Sequence, residues 1–224
     1  MVLFSFRWTV KPEHRTHNMT AYASMTEEQI QKMFGPDIKM LGSWTNLGTV
    51  SGTIIFDASD VTAINKYAVQ WTLDGTTDVT IEPLMYENEF RATMLGVDEP
   101  PYIMPLDLDS PLEEGESLYL LHFKFLSQKK GEVIQGIAHV SEETQHRPLK
   151  TRKLGGFYEA GGSGGMSVMV AKSPKDILYT LRDWIALAEV DIEPVMRFQE
   201  GFDVIRSMPE YEKNLEALKS KMEM

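Results

Sequence analysis

The sequence predicts an α+β protein made of two tandem ferredoxin-like repeats, and three observations carry that expectation. The stretch Val79-Thr80-Ile81-Glu82-Pro83-Leu84-Met85 returns as Val190-Asp191-Ile192-Glu193-Pro194-Val195-Met196. Ahead of each copy, strand-like and helix-like segments follow in the order β-α-β-β-α-β, the split βαβ arrangement. Between the copies lies a proline-rich, acidic segment, with Asp98-Glu99-Pro100-Pro101, Pro105, Pro111 and Glu113-Glu114-Gly115-Glu116, that resists regular structure. The expected layout is 1–95 for the first repeat, 96–117 for the linker, 118–206 for the second repeat and 207–224 for a C-terminal helix.

Residues 3–10 alternate, with Phe4, Phe6 and Trp8 on one face and Ser5, Arg7 and Thr9 on the other, which reads as a half-buried strand. After Pro12, Glu13 to Phe34 reads as helix and ends at Gly35-Pro36. Ile38 to Trp44 is the second strand, and Gly48 and Gly52 mark the turn to a third at Thr53–Asp57. Ser59 or Asp60 can cap a helix whose Ile64, Tyr67, Ala68 and Trp71 form one apolar face. Val79–Met85 is the fourth strand.

The second copy follows the same plan. Leu121-His122-Phe123-Lys124-Phe125 aligns with Phe4-Ser5-Phe6-Arg7-Trp8 in alternation and in its basic residue. Gln128 to His146 is its first helix, and Leu154-Gly155-Gly156-Phe157 aligns with Leu41-Gly42-Ser43-Trp44. Ser173-Pro174 starts a helix on which Ile177 and Trp184 fall at the places of Ile64 and Trp71. Beyond Ser207-Met208-Pro209-Glu210, a helix with Tyr211, Leu215, Leu218 and Met222 on one face is expected to pack on its own domain or on a second subunit.

Composition narrows the function. The formal charge of -11 argues against a nucleic-acid or anionic-membrane partner, since either calls for a basic face. Without cysteine there is neither a disulfide nor thiolate chemistry. No apolar run reaches spanning length, and the N-terminus opens directly into a strand, so a cytoplasmic location is expected.

The first repeat resembles domain-of-unknown-function family 3303 of the dimeric α+β-barrel superfamily. The residues carrying the resemblance are Phe6-Arg7-Trp8-Thr9, Pro12-Glu13, Leu41-Gly42-Ser43-Trp44, Trp71 and Val79-Thr80-Ile81-Glu82-Pro83. The second copy keeps Leu154-Gly155, Trp184 and Ile192-Glu193-Pro194 but has Phe125 and Phe157 for the two strand tryptophans. The superfamily includes cofactor-independent monooxygenases, isomerases and haem proteins, so the resemblance implies a fold and a pocket more firmly than a reaction. It implies a homo-oligomer, or two repeats closing on each other.

The strand faces supply the candidate site. If the aromatics face the helices, Ser5 and Arg7 share the opposite face with Thr80 and Glu82, and Arg7 can pair with Glu82 across neighbouring strands. Lys124 and Glu193 form the corresponding pair in the second copy, with His122 beside them. Such groups can bind a polar small molecule, with His122, Glu82 or Glu193 as general base. The plainer alternative is a cross-strand ion pair that only fixes register, and the facing could be reversed. His122 is either a base, a haem ligand or an ordinary strand histidine; no cofactor is expected. His14 and His17 have metal-ligand spacing but lack a third ligand, so no metal is expected either. Gly161-Gly162-Ser163-Gly164-Gly165 leads into a strand and lacks the Lys-Ser/Thr of a phosphate loop, and reads as a hairpin. The other class of function kept open is a non-catalytic interaction module that assembles through its repeats and C-terminal helix.

Overall fold

In chain order the elements are β1 (Val2–Val10), α1 (Arg15–Ala23), α2 (Glu27–Phe34), β2 (Ile38–Asn46), β3 (Ser51–Ala58), α3 (Val61–Thr72), β4 (Thr77–Tyr86), α4 (Glu87–Leu95), β5 (Ser117–Phe125), β6 (Thr151–Glu159), β7 (Gly164–Ala171), α5 (Pro174–Leu181), β8 (Ala188–Arg197), α6 (Phe198–Ser207) and α7 (Tyr211–Met222). The structure is a computed structural model and describes residues 2–73, 75–98, 106–126, 131–133, 135–137 and 149–222. Most of the expected Gln128–His146 helix and residues 99–105 of the linker lie outside the described residues.

Contacts divide the chain into two compact units, Met1–Glu82 with Met196–Met224, and Pro83–Val195. In the first, β4 lies beside β1, β1 pairs antiparallel with β3, and β3 pairs antiparallel with β2. In the second, β8 pairs with β5, β5 with β7 and β7 with β6, all antiparallel. Both orders are those of a ferredoxin-like sheet, in which the first and fourth strands are neighbours. Both second strands carry a bulge at the same place, between Met40 and Gly42 and between Lys153 and Gly155.

The units do not coincide with the repeats. The last residues of β4 pair with β6 in the second unit, Leu84 with Glu159 and Met85 with Tyr158. Met196 and Arg197 pair with Thr45 and Trp44 in the first. Helix α4 therefore belongs to the second unit, and α6 and α7 to the first. The C-terminal helix packs on α1, with Tyr211 buried and Leu215 against the core of the first unit.

Local chemistry explains where helices begin and end. The stretch expected as one helix from Glu13 to Phe34 is a 3-10 turn followed by two helices. Thr26 adopts an extended conformation, its hydroxyl accepts from the Gln29 N–H, and the Gln29 side chain accepts from the Thr26 N–H. That reciprocal cap satisfies two orphan donors and restarts the helix. Asp60 caps α3 by accepting from the Ala63 N–H, and Ser173 caps α5 by accepting from that of Asp176. Helix α5 stops at Leu181, so Trp184 sits in a 3-10 turn and not on the helix with Ile177. Its chain has two fewer residues to reach the last strand than the chain after Trp71, and the final turn tightens accordingly.

On the helix side of the first sheet, Phe4, Phe6 and Trp8 pack with Phe56, Ile64, Tyr67 and Trp71. In the second unit, Tyr119 and Leu121 pack with Met169, Ile177 and Leu181. These rows correct the alignment of the two copies. Trp8 stands opposite Gly52, and Phe123, not Phe125, stands opposite Gly165. The strand edges agree, because the Lys11 N–H donates to the Thr76 carbonyl where the Leu126 N–H donates to that of Leu187. The structural counterpart of Arg7 is therefore His122, two residues before Lys124. A two-residue slip leaves every side chain on its original face, so alternation alone cannot detect it.

The reason for this register is steric. A Cβ on Gly52 would lie 2.4 Å from the Trp44 carbonyl oxygen and 2.7 Å from the Trp8 ring. One on Gly165 would lie 2.2 Å from the Phe157 oxygen and 2.7 Å from the Phe123 ring. Gly52→Ala is expected to destabilise the protein by about 1–3 kcal/mol through overpacking, read as a lower urea midpoint. An unchanged midpoint would show that the Trp8 ring is not seated on the glycine.

Candidate functional site

The face of the first sheet away from its helices carries Leu3, Ser5 and Arg7 on β1, Thr53 and Ile55 on β3, and Trp44 on β2. All but Arg7 are buried. Arg7 Nη2 donates to Glu82 Oε2 at 2.9 Å, with both side chains about one-third exposed (38% and 34%). In water-accessible surroundings such a pair contributes well under about 1 kcal/mol. Its neighbours are less ordinary. Ser5 Oγ and Arg7 Nε are both buried and have no hydrogen-bond partner. Thr80 lies two residues from Glu82 on the same strand and is exposed.

The second copy does not reproduce the expected Lys124–Glu193 pair. Lys124 stands opposite Glu189, whereas Glu193 stands opposite Leu120, four residues further along the strand. At about 3.3 Å per residue the two charges are held apart. His122 takes the place of Arg7, opposite Asp191 and one diagonal step from Glu193. It is half-buried, and Met166 and Phe157 share its face. Lys124 is exposed. Among the described residues, no three His, Asp or Glu side chains come together as a metal site. Residues 161–163 form the turn between β6 and β7, with Gly162 at φ 71°.

A second polar cluster was not anticipated. Glu87, the first residue of α4, is 3% exposed and accepts from Arg91 at 2.8 Å and 3.1 Å through one oxygen. Its other oxygen accepts from Lys153 Nζ, in a short contact. Burial pushes the Glu87 carboxyl up, but Lys153 and Arg91 together outweigh it and hold it below the ordinary range. Burial, helped by the Glu87 charge, raises the neighbouring Tyr158 hydroxyl well above its usual value. Tyr158 also stacks on Phe90 at 4.0 Å. A Cβ at 156 would come 2.0 Å from Glu87 Oε2, so any larger residue there would displace the Glu87 and Lys153 side-chain ends. The first unit has Phe198 and Phe202 at the positions of Glu87 and Arg91, and Met40 at that of Lys153. A comparison of those positions, four apart after each Ile-Glu-Pro strand, was the available signal.

The fold and these sheet faces define the class: an α+β protein of two ferredoxin-like repeats, of the dimeric α+β-barrel type. The chain belongs to the domain-of-unknown-function family DUF3303, which matches it twice, over residues 2–98 and 117–208. No curated protein matches it. Among solved structures it is similar to a candidate chlorite dismutase, TA0507, with 6% identity and a TM-score of 0.54, covering 91% of this chain and 99% of that one. A candidate monooxygenase from Fusobacterium nucleatum is 12% identical with a TM-score of 0.51, covering 88% and 91%. A mutant chlorite dismutase from Candidatus Nitrospira defluvii is 8% identical with a TM-score of 0.51, covering 90% and 94%. Likeness at such identities establishes the fold alone.

Glu87→Gln is expected to destabilise the protein by about 3 kcal/mol at pH 7, because it leaves two poorly solvated cations without their carboxylate. The folded carboxyl is more acidic than the unfolded one. Its contribution is therefore complete above the unfolded value and is lost as pH falls through the folded one. The gap between variant and parent should shrink below about pH 4, in urea denaturation repeated across acid pH.

Proposed function

We propose that the chain binds a small, oxygen-bearing polar molecule on the helix-free face of its first repeat, through Ser5, Arg7, Thr80 and Glu82. The observation supporting this reading is the pair of buried, unpartnered atoms, Ser5 Oγ and Arg7 Nε, beside an Arg7–Glu82 pair that still reaches solvent. Buried polar groups in folded proteins are nearly always satisfied, and a ligand oxygen would complete both. An arginine already anchored by a carboxylate is well placed to take a carboxylate or carbonyl. His122 and Glu193, with Lys124 further along, make a weaker second constellation in which a titratable group stands where the first has a permanent cation. Should a reaction occur, Glu82 or His122 is its base, without a cofactor. The candidate monooxygenase among the structural relatives makes oxygenation the first reaction to assay.

One observation favours the interaction-module alternative. Trp44 and Phe157 are wholly buried on the helix-free faces of their own sheets, where a spacious pocket would need room. The ligand proposed here is accordingly small. Partners beyond it, and a homo-oligomeric, cytoplasmic chain without nucleic-acid contacts, belong to the same proposal. No helix among the described residues is long and apolar enough to cross a membrane.

The test is a thermal-shift series with acetate, benzoate and salicylate, alongside native mass spectrometry for subunit count and retained ligand. At 100 times its Kd a ligand stabilises by about 2.7 kcal/mol, a rise of several degrees. Arg7→Met should weaken binding at least about tenfold, the loss of a charged hydrogen bond. Absence of any shift and of any retained molecule, or full binding by Arg7→Met, would move the weight to the interaction module.

A further inference from the structure

The helix side of the first unit holds a separate group of unmet polar atoms. Trp8 Nε1, Trp71 Nε1 and the Tyr67 hydroxyl are all buried, and apart from the approach of the Tyr67 and Trp71 groups to each other they meet no polar partner. They gather around one ring: Trp71 lies 6.0 Å from Trp8 and 5.8 Å from Tyr67 between ring centroids. Orphaned buried donors are uncommon. One orphan beside two poorly satisfied groups, all at one indole, calls for a physical reason.

The surroundings supply one. Two cavities of about 20 Å3 and 10 Å3 adjoin the group, the first lined by Trp8 and the second by Tyr67 and Trp71. Tyr22, Phe198 and Phe202 border both. Each has room for about one water, yet a buried water needs two to four polar partners and these walls are almost wholly apolar. Methionines line both, Met19 the first and Met25 and Met33 the second, and such side chains re-pack readily around a guest. Tyr22 stacks on Trp71 at 5.0 Å and 16°, and is half-buried, so its ring extends from the nest to the surface.

The second repeat lacks this arrangement. Where the first has Phe6 and Phe56, it has Leu121 and Met169. The aromatic excess is a property of one copy and not a requirement of the fold.

We propose that this nest is a binding site for a flat, neutral aromatic molecule bearing a hydrogen-bond-acceptor oxygen. The ligand displaces the Tyr22 ring, stacks on Trp71 in its place, and accepts from the Trp8 indole N–H. Flatness follows from the stacked geometry that Tyr22 now occupies. The acceptor follows from indole nitrogens, which can only donate. Neutrality follows from the absence of any charged side chain in the lining of either cavity. The site is independent of the Arg7–Glu82 face and takes a different ligand class.

The experiment uses the full-length chain, 15N-labelled, titrated with 1-indanone and in parallel with indane, the same ring system without the oxygen. The four tryptophan indole N–H signals report position. The expected result is a shift of the Trp8 and Trp71 signals by indanone, with indane binding about five- to tenfold more weakly, as one neutral hydrogen bond requires. Trp71→Phe should lose a similar factor, while Trp184→Phe should bind as the parent does. No shift up to the solubility of indanone, a shift confined to Trp44 or Trp184, or equal binding of the two probes overturns the proposal. None of these outcomes touches the carboxylate series, so the two sites fail separately.

Discussion

A large ring lying over a glycine governs the rest of this structure. Trp8 covers Gly52 in the first repeat and Phe123 covers Gly165 in the second, each glycine also pressed against a neighbouring strand carbonyl. No other residue fits beneath the ring, so the first and third strands of each repeat can align in one way only. That alignment decides which side chains of the two strands share a face. The charges meet across the other neighbour, the fourth strand, where Arg7 reaches Glu82 and the second copy sets Lys124 opposite Glu189.

Within that shared frame the two copies have diverged where the frame is indifferent. Around α4 the second unit buries a carboxylate between an arginine and a lysine, and leaves room for it with Gly156. The corresponding positions around α6 are Phe198, Phe202, Met40 and Ser43, and Gly201 lies close to Thr45 where Phe90 stacks on Tyr158. A buried ion network is seldom more stable than the apolar packing that could replace it. Its presence in one copy and absence from the other shows that the fold tolerates both solutions.

Much of this was legible in the sequence, and the reasons for the exceptions are physical. Strand alternation and the caps at Asp60 and Ser173 rest on local patterns, which survive folding because they are short-range; the Arg7–Glu82 contact spans 75 residues and was reached through the strand order that the duplication implies. The mispairing of Lys124 came from a pattern of period two, which is blind to a slip of two. The break at Thr26 was readable as a Thr-x-x-Gln cap but was hidden by the helical residues on either side. Helices α4 and α6 follow directly from strands; Tyr86 makes no cap side-chain bond for α4, and at α6 only the Glu200 carboxylate, accepting from the Arg197 N–H, marks the start. The Glu87–Lys153 contact joins residues far apart in sequence and had no local signal at all.

The described residues place every buried, unpartnered side-chain polar atom in the first unit: Ser5, Arg7, Trp8, Arg15, Tyr67 and Trp71. Each such atom costs about 1–3 kcal/mol relative to a satisfied one. The second unit, with the same strand order and the same glycine locks, shows that the fold does not demand them. A repeat that keeps several unsatisfied groups, where the described residues of its twin keep none, is carrying a burden unrelated to folding. Binding a partner that satisfies those groups would remove that burden. On this argument both proposed ligand sites belong to the first repeat, one on each face of its sheet, because that is where the unsatisfied groups lie.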